Sequence, residues 1–306
     1  MRPKRCVVHG RRDYCSQTTP AKLPPSLLRA DYKPPAFLVP RVQLEFDLDP
    51  VETVVTSSIE FAVNPAAQSS KSGAGTDVSD PGRFDRDLEL DGNDGISLHS
   101  IRINGANVLD EVTIANEKLT IPAAVLQRCA TNVAASHYHR KNSGAVGDGV
   151  IQLETVSSIR PEDNSSGSGL YVDGGGSFMT QCEANGFRKI AFFPDRPDVL
   201  SLYDRVTLRG NAARFPVMLS NGNVVSEAMD GDRRTVVWSD PHPKPCYLFA
   251  LVAGDLQHIR SDYVTLSGRS VELLLWSEPK DLSALEFAMT SLKQSMEWDE
   301  QRSVRV

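Results

Sequence analysis

Short stretches in which apolar and polar side chains alternate dominate the middle of the chain. The clearest covers residues 42–48, where every second side chain is apolar and the others are polar or acidic. Alternation with a period of two is typical of a strand that is buried on one face. A second apolar series, residues 53–61, follows the turn residues Asp49 and Pro50, so we expect the two segments to form a hairpin.

The same pattern predicts further strands toward residue 255. Asn104-Gly105 directly follows an alternating segment and is the dipeptide most typical of a tight hairpin turn. Many short strands separated by turn residues, with no helices between them, indicate packed antiparallel sheets and a mainly β fold. The other predicted strands cover residues 112–114, 151–156, 203–208, 217–219, 235–238 and 247–252.

The periodicity changes after residue 255. Residues 264–276 alternate well enough for two strands around the turn Ser267-Gly268-Arg269. A helix is then predicted over residues 281–301, with Ser283 and Glu286 forming a capping box at its start. Apolar residues spaced by three and four form one stripe, which is typical of a helix face that packs in a core. The stripe consists of Leu282, Leu285, Met289, Leu292 and Met296.

These patterns divide the chain into three parts. Residues 1–30 form a basic leader without the apolar segment of a secretory signal, and we expect it to be disordered or, alternatively, an organelle transit peptide. Residues 31–255 form the β-domain, and residues 256–306 begin a second domain. Two stretches rich in small polar residues, about 64–82 and 135–149, are predicted to be mobile surface insertions.

Composition limits the classes of partner. The 306 residues include 33 basic and 39 acidic side chains, for a net charge of −6, which argues against a nucleic-acid partner. The longest apolar runs, such as residues 247–253, are too short to span a bilayer, so no membrane partner is expected. Five widely spaced cysteines favour reduced thiols and a cytoplasmic location.

An irregular loop after residue 180 carries the candidate chemistry. Gln181 and Glu183 are two residues apart, so in an extended chain both side chains point the same way and form an acceptor-rich face for an ammonium group. In a second interpretation, Glu183 pairs with Arg188 or Arg196 and only holds the loop in shape. Composition alone favours this second interpretation, because structural ion pairs are commoner than substrate-binding ones.

The loop sequence TQCEANGFRKIAFFPDRPDVL resembles the zinc aminopeptidases of the aminopeptidase N family, in the bacterial alanyl-aminopeptidase branch. Other segments match the same branch in the same order, which makes the resemblance more specific than a short motif. They are residues 31–35, 42–50, 215–223, 240–255 and 289–302.

The resemblance implies a saddle-like β-sandwich domain followed by the first strands and helix of an incomplete α/β, thermolysin-like catalytic domain. It also implies that Gln181 and Glu183 help bind the free α-amino group of a peptide, so peptide N-termini are the expected partners. The parent family uses zinc as its cofactor.

The sequence lacks the family's catalytic motifs. It contains no H-E-x-x-H and no G-A-M-E-N, and we find no set of zinc ligands with a general base. His137 and His139 lie two apart in a polar stretch, which suits a solvated loop better than a metal site. We therefore expect no catalytic residues, no metal ligands and no zinc in this chain.

Three interpretations follow from the sequence. The chain is part of an aminopeptidase polypeptide that is inactive alone, or a non-catalytic module that binds peptides or proteins, or a scaffold unrelated to peptides. The first is favoured by the resemblance. With most of a catalytic domain absent, we expect the apolar stripe of the C-terminal helix to be open, which would promote self-association.

Overall fold

The computed structural model of the protein describes residues 28–68, 84–133 and 150–303. A short 3-10 turn, Arg29–Asp31, lies near the start, and the residues from Pro34 onward form one compact unit. The predicted leader up to residue 27, most of the first insertion and the whole second insertion lie outside the described residues. The predicted domain boundary at residue 255 stays a prediction.

Strands are the commonest regular structure in the described chain, which confirms the mainly β class. In chain order they are β1 Phe37–Leu38, β2 Arg41–Asp47, β3 Thr53–Val63, β4 Leu88–Asp91, β5 Ser97–Ile103, β6 Ala106–Asn107, β7 Thr113–Ala115, β8 Lys118–Ile121, β9 Val150–Ile159, β10 Gly169–Val172, β11 Phe178–Gln181, β12 Leu200–Asn211, β13 Val217–Ser220, β14 Asn223–Asp230, β15 Arg233–Ser239, β16 Lys244–Pro245, β17 Leu251–Gly254, β18 Gln257–Val264 and β19 Ser270–Ser277. Each segment predicted from alternation overlaps one of these strands.

A ten-stranded sheet forms the largest layer, with the order β14-β15-β12-β2-β3-β9-β5-β6 and with β1 and β16 paired at its side. The predicted hairpin of β2 and β3 is present, with Val42 opposite Ile59. One pair departs from the antiparallel expectation, because β2 and β12 run parallel. Parallel neighbours need a long connection, and here all the chain from β3 to β11 lies between them.

Two smaller sheets, β10-β11-β17-β13 and β4-β8-β7, contribute to the same hydrophobic core as the large sheet. The apolar side of β2 is almost fully buried, and the ring of Phe46 stacks on that of Phe249 with centroids 5.9 Å apart. Phe178 of β11 packs against Phe215 at 5.1 Å. The core therefore packs against β11, which is the strand that leads into the candidate loop.

The expectation of no helices within the β-domain is wrong. Helix α1, Pro65–Gln68, occupies the start of the first predicted insertion, where Asn64 is buried and donates a hydrogen bond to the carbonyl oxygen of Pro35. Helix α2, Ala123–Val133, follows β8 directly. Val125, Leu126 and Cys129 are buried at helical spacing, and this periodicity is what distinguishes the segment from a strand.

The C-terminal part contains the predicted hairpin and helix. Strands β18 and β19 pair along their whole length, and helix α3, Leu285–Ser303, follows a 3-10 segment, Pro279–Ala284. The expected capping box is wrong, because Ser283 lies inside that 3-10 segment and the helix starts later. None of the helices in the described ranges is both long and apolar enough to cross a membrane.

The apolar stripe of α3 is less open than expected. Met289 is 7% exposed, and Leu285, Leu292 and Met296 are half-buried. Lys293 of the same helix donates a hydrogen bond from Nζ to Ser261 Oγ of β18 at 2.6 Å. The stripe is less exposed because the β18–β19 hairpin before the helix covers part of it.

Candidate functional site

The candidate loop begins at the end of β11, in the middle of a small sheet. Gln181 is the last residue of this strand and lies opposite Gly169 of β10. On the other side, Thr180 Oγ1 donates to the carbonyl oxygen of Leu251 at 3.1 Å and accepts from its backbone N–H at 2.8 Å. Hydrogen bonds on both sides therefore hold the residues that lead into the loop.

Gln181 and Glu183 both have exposed side chains. Cys182 between them points inward and is 2% exposed. The amide Nε2 of Gln181 donates to the carbonyl oxygen of Glu183 at 3.3 Å, and the peptide bond between Glu183 and Ala184 is cis. The alternation expected from the i, i+2 spacing is thus present, with both candidate side chains on the solvent side.

Gly186 closes the loop. Its backbone N–H donates to the carbonyl oxygen of Cys182 at 2.8 Å. A Cβ at this position would lie 2.2 Å from the carbonyl oxygen of Gln181, closer than any side chain allows. A glycine is needed here because the backbone of the loop folds directly onto the end of β11.

Neither Arg188 nor Arg196, which follow the loop, pairs with Glu183. Arg188 Nε lies 2.9 Å from Asp195 Oδ2, and Arg196 pairs with Asp198 at 2.7 Å. In the part of the chain that the structure describes, Glu183 takes part in no ion pair. The loop is held in shape by other carboxylates, and that of Glu183 stays exposed to solvent.

Asp195 is the centre of the network under the loop. It is 4% exposed, and its carboxylate accepts hydrogen bonds from the backbone N–H and Nε of Arg188 and from Cys246 Sγ at 3.1 Å. Its own backbone N–H donates to Asp91 Oδ2 at 3.1 Å. Sequence reasoning did not identify this residue, because Asp91 and Cys246 are distant along the chain.

Aromatic rings fill the space beside this network. The ring of Phe187 meets those of Phe193 and Phe249 edge-on, with centroids 5.1 Å and 5.4 Å apart. Tyr203 is also fully buried, and its ring centroid lies 6.2 Å from that of Phe187. Edge-to-face contacts of this kind stabilise rings in one arrangement, so the loop has a well-packed base.

Cys182 is a packed residue and not a nucleophile. Burial, with a further contribution from the negative charge of Asp195, raises the pKa of its thiol to about 12. A nucleophilic cysteine needs its thiolate form, which such a group does not populate near neutral pH. The residue therefore contributes to packing.

The described histidines lie in separate surroundings. The ring Nε2 of His99 hydrogen-bonds with Ser158 Oγ at 2.8 Å, and the ring of His258 packs against Trp276. Across residues 28–68, 84–133 and 150–303, no three His, Cys, Asp or Glu residues are grouped so that they could hold a metal ion. The described histidine, cysteine and acidic side chains therefore do not fit a zinc site. His137 and His139 lie outside the described residues.

Comparison with known proteins places these features in a wider context. Residues 91–248 match the sequence profile of the Peptidase M1 N-terminal domain. Aminopeptidase N of Caulobacter vibrioides is 38% identical over 281 residues, which is 91% of this chain and 27% of that protein. The chain thus spans about a quarter of the length of this relative.

Solved structures show the same fold. The structure of Legionella pneumophila aminopeptidase A in complex with aspartic acid superposes with a TM-score of 0.70 at 28% identity, over 89% of this chain and 28% of that one. An M1 zinc metallopeptidase of Deinococcus radiodurans, bound to a Tyr-Ser-Ala substrate, gives a TM-score of 0.56 at 15% identity, over 80% of this chain and 48% of that one. The second likeness concerns the fold alone.

Proposed function

The chain belongs to the Peptidase M1 N-terminal domain family, and we propose that it carries the part of an aminopeptidase that binds the free amino group of a peptide. The observation that carries this proposal is the exposed carboxylate of Glu183, beside Gln181, on a loop with a buried base. Within the described residues this carboxylate has no ion-pair partner. Its charge is therefore available to a cationic ligand.

The loop presents two acceptors to an ammonium group. The Nε2 of Gln181 is engaged with the carbonyl oxygen of Glu183, so the amide oxygen Oε1 is left as the free end of the side chain. An ammonium group has three donors, and it can give one to the Glu183 carboxylate and one to Oε1. Such charge-assisted hydrogen bonds are stronger than neutral ones.

Binding the amino group would determine which peptide bond is processed. A peptide held by its free amine presents its first peptide bond at a set distance from the loop. A reaction centre at that distance would release single residues from the N-terminus. Peptide N-termini are thus the proposed ligands, and the parent protein's proposed activity is that of an aminopeptidase.

We propose that the chain does not hydrolyse peptides by itself. Zinc, when bound in a peptidase, polarises the scissile carbonyl and activates water, and it needs three protein ligands with an open position. The sequence has no H-E-x-x-H, and no suitable ligand group occurs among the described side chains.

The described cysteines are free and buried, which supports a reducing, cytosol-like compartment.

Calorimetric titration with a short peptide tests the role of Glu183. The unmodified chain should bind the peptide with a free amino terminus and lose affinity for its N-acetylated form. Glu183→Gln keeps the shape but removes the charge, and we expect binding to weaken by about tenfold or more. Glu52→Gln removes an exposed carboxylate from the β2–β3 turn and should leave the affinity unchanged.

The outcomes separate the two functional candidates. Equal affinity of Glu183→Gln and the unmodified chain would remove Glu183 from the amine site. Binding that ignores acetylation would instead favour the alternative, a module that recognises peptides or proteins without reading their N-termini.

A further inference from the structure

A positively charged cleft lies beside the amine-binding loop, residues 181–186, and is lined partly by the turn that follows it. Its volume is about 460 Å³, which suits a small ligand. It is formed by the connection between β9 and β10, the turn before β5 and the 3-10 turn Phe187–Lys189. Its polar lining includes Asn93, Arg160, Asp163, Ser165, Ser166 and Lys189.

Lys189 supplies an uncompensated charge to this cleft. Its side chain is half-buried, and its Nζ donates to Ser166 Oγ at 3.1 Å. No carboxylate lies within ion-pair distance of this Nζ in the described parts of the chain. A partly desolvated ammonium group that has only a hydroxyl as its partner favours an anion nearby.

Arg160 provides a second cation in the same lining. It pairs with Asp163 at 2.6 Å, and both side chains are 61% exposed. An exposed ion pair of this kind contributes little to stability, so a ligand can replace the carboxylate at low cost. The two cations Arg160 and Lys189 outnumber the single carboxylate of Asp163, so the lining carries an excess positive charge. The whole chain, in contrast, has a net charge of −6.

The remaining side-chain amides of the cleft are already used. Asn164 donates to the carbonyl oxygens of Ser168 and Leu170, both at 2.9 Å, and Asn93 donates to Glu117 Oε1 at 3.3 Å. These bonds shape the walls and leave the two cations as the groups that select the ligand.

We propose that this cleft binds a small phosphate-bearing anion between Lys189 and Arg160. A phosphate group carries up to two charges and several acceptor oxygens, so it can bridge cations from two chain segments. A carboxylate carries only one charge and two acceptor oxygens, so it balances the two cations less well. Neither Gln181 nor Glu183 lines this cleft, so the proposal does not depend on the amine-binding site.

Titration with inorganic phosphate, at an ionic strength held constant with chloride, tests the proposal. We expect saturable binding by calorimetry and a raised melting temperature. Lys189→Met should weaken binding by about tenfold or more, and Arg160→Gln should weaken it as well. Arg102→Gln removes an exposed cation from β5, outside the cleft, and should leave binding unchanged. A phosphorylated sugar measured in parallel shows whether free phosphate or a phosphate ester binds more tightly.

A second measurement uses the unmodified chain and does not depend on the folding of variants. Bound phosphate should protect Lys189 from reductive methylation, read out by mass spectrometry, and should leave Lys280 unprotected. Equal effects of all three substitutions, equal effects of chloride, or equal methylation of both lysines with and without phosphate would overturn the proposal.

Discussion

Asp195 links three separate segments of the chain under the amine-binding loop. It accepts from Arg188 and Cys246, and its backbone bonds to Asp91 of β4. The side chain of Asp195 in the ion pair with Arg188 is only 1% exposed. Asp195→Asn removes the charge of a buried carboxylate that accepts hydrogen bonds from Arg188 and Cys246, and weakening such charge-assisted bonds is costly although Arg188 is itself 28% exposed.

We therefore expect Asp195→Asn to lower the free energy of unfolding by about 2 kcal/mol. The matched control is Asp198→Asn, which affects the more exposed pair with Arg196 in the same segment. That substitution should cost less than about 1 kcal/mol. Urea unfolding of both variants measures the difference, and equal losses would show that burial of the Asp195 pair is not what stabilises the loop.

At the residue scale, the sequence indicated the candidate residues Gln181 and Glu183 but not the buried network beneath them. The i, i+2 spacing and the resemblance both indicated Gln181 and Glu183, since spacing along an extended chain is a local property. The partners of Arg188 were not predictable in the same way. The carboxylates near Arg188 belong to Asp195, which is close in sequence, and to Asp91, which is far from it in sequence. Only the bridge between Asp91 of β4 and Phe193 brings Asp91 close to Arg188.

Among the elements, helix α3 shows how a correct pattern led to a partly wrong conclusion. The helix itself and the strands before it are confirmed, but the stripe with Met289 is partly covered. The exposed apolar side chains of α3 are instead Phe287, at 80% exposure, and Trp298, at 62%. Periodicity identifies an apolar face, but it does not say which neighbouring element covers that face.

Self-association through α3 remains a proposal, and it now depends on these two residues. We expect the chain to form concentration-dependent oligomers in sedimentation velocity, because large exposed apolar side chains favour association. Phe287→Ser should shift the equilibrium toward monomer. Val51→Ser, an exposed apolar position on the β2–β3 turn, serves as the control. A single monomeric species at all concentrations would contradict the proposal.

At the scale of the whole chain, binding and catalysis should separate. Purified protein with added zinc should show no release of the chromophore from an amino-acid arylamide, because the sequence lacks H-E-x-x-H. A full-length aminopeptidase N in the same assay provides the positive control. Turnover that a chelator abolishes would show that this chain holds a competent metal site after all.

The sequence by itself determined the mainly β class, the approximate strand positions and the placement of Gln181 and Glu183 on the same side of the chain. Each of these depends on local features, namely alternation, turn residues and the spacing of a few side chains. The tertiary structure alone decided the parallel pairing of β2 with β12, the burial of Asp195 and the partial covering of α3. These depend on contacts between segments far apart in the chain, and no local period encodes them.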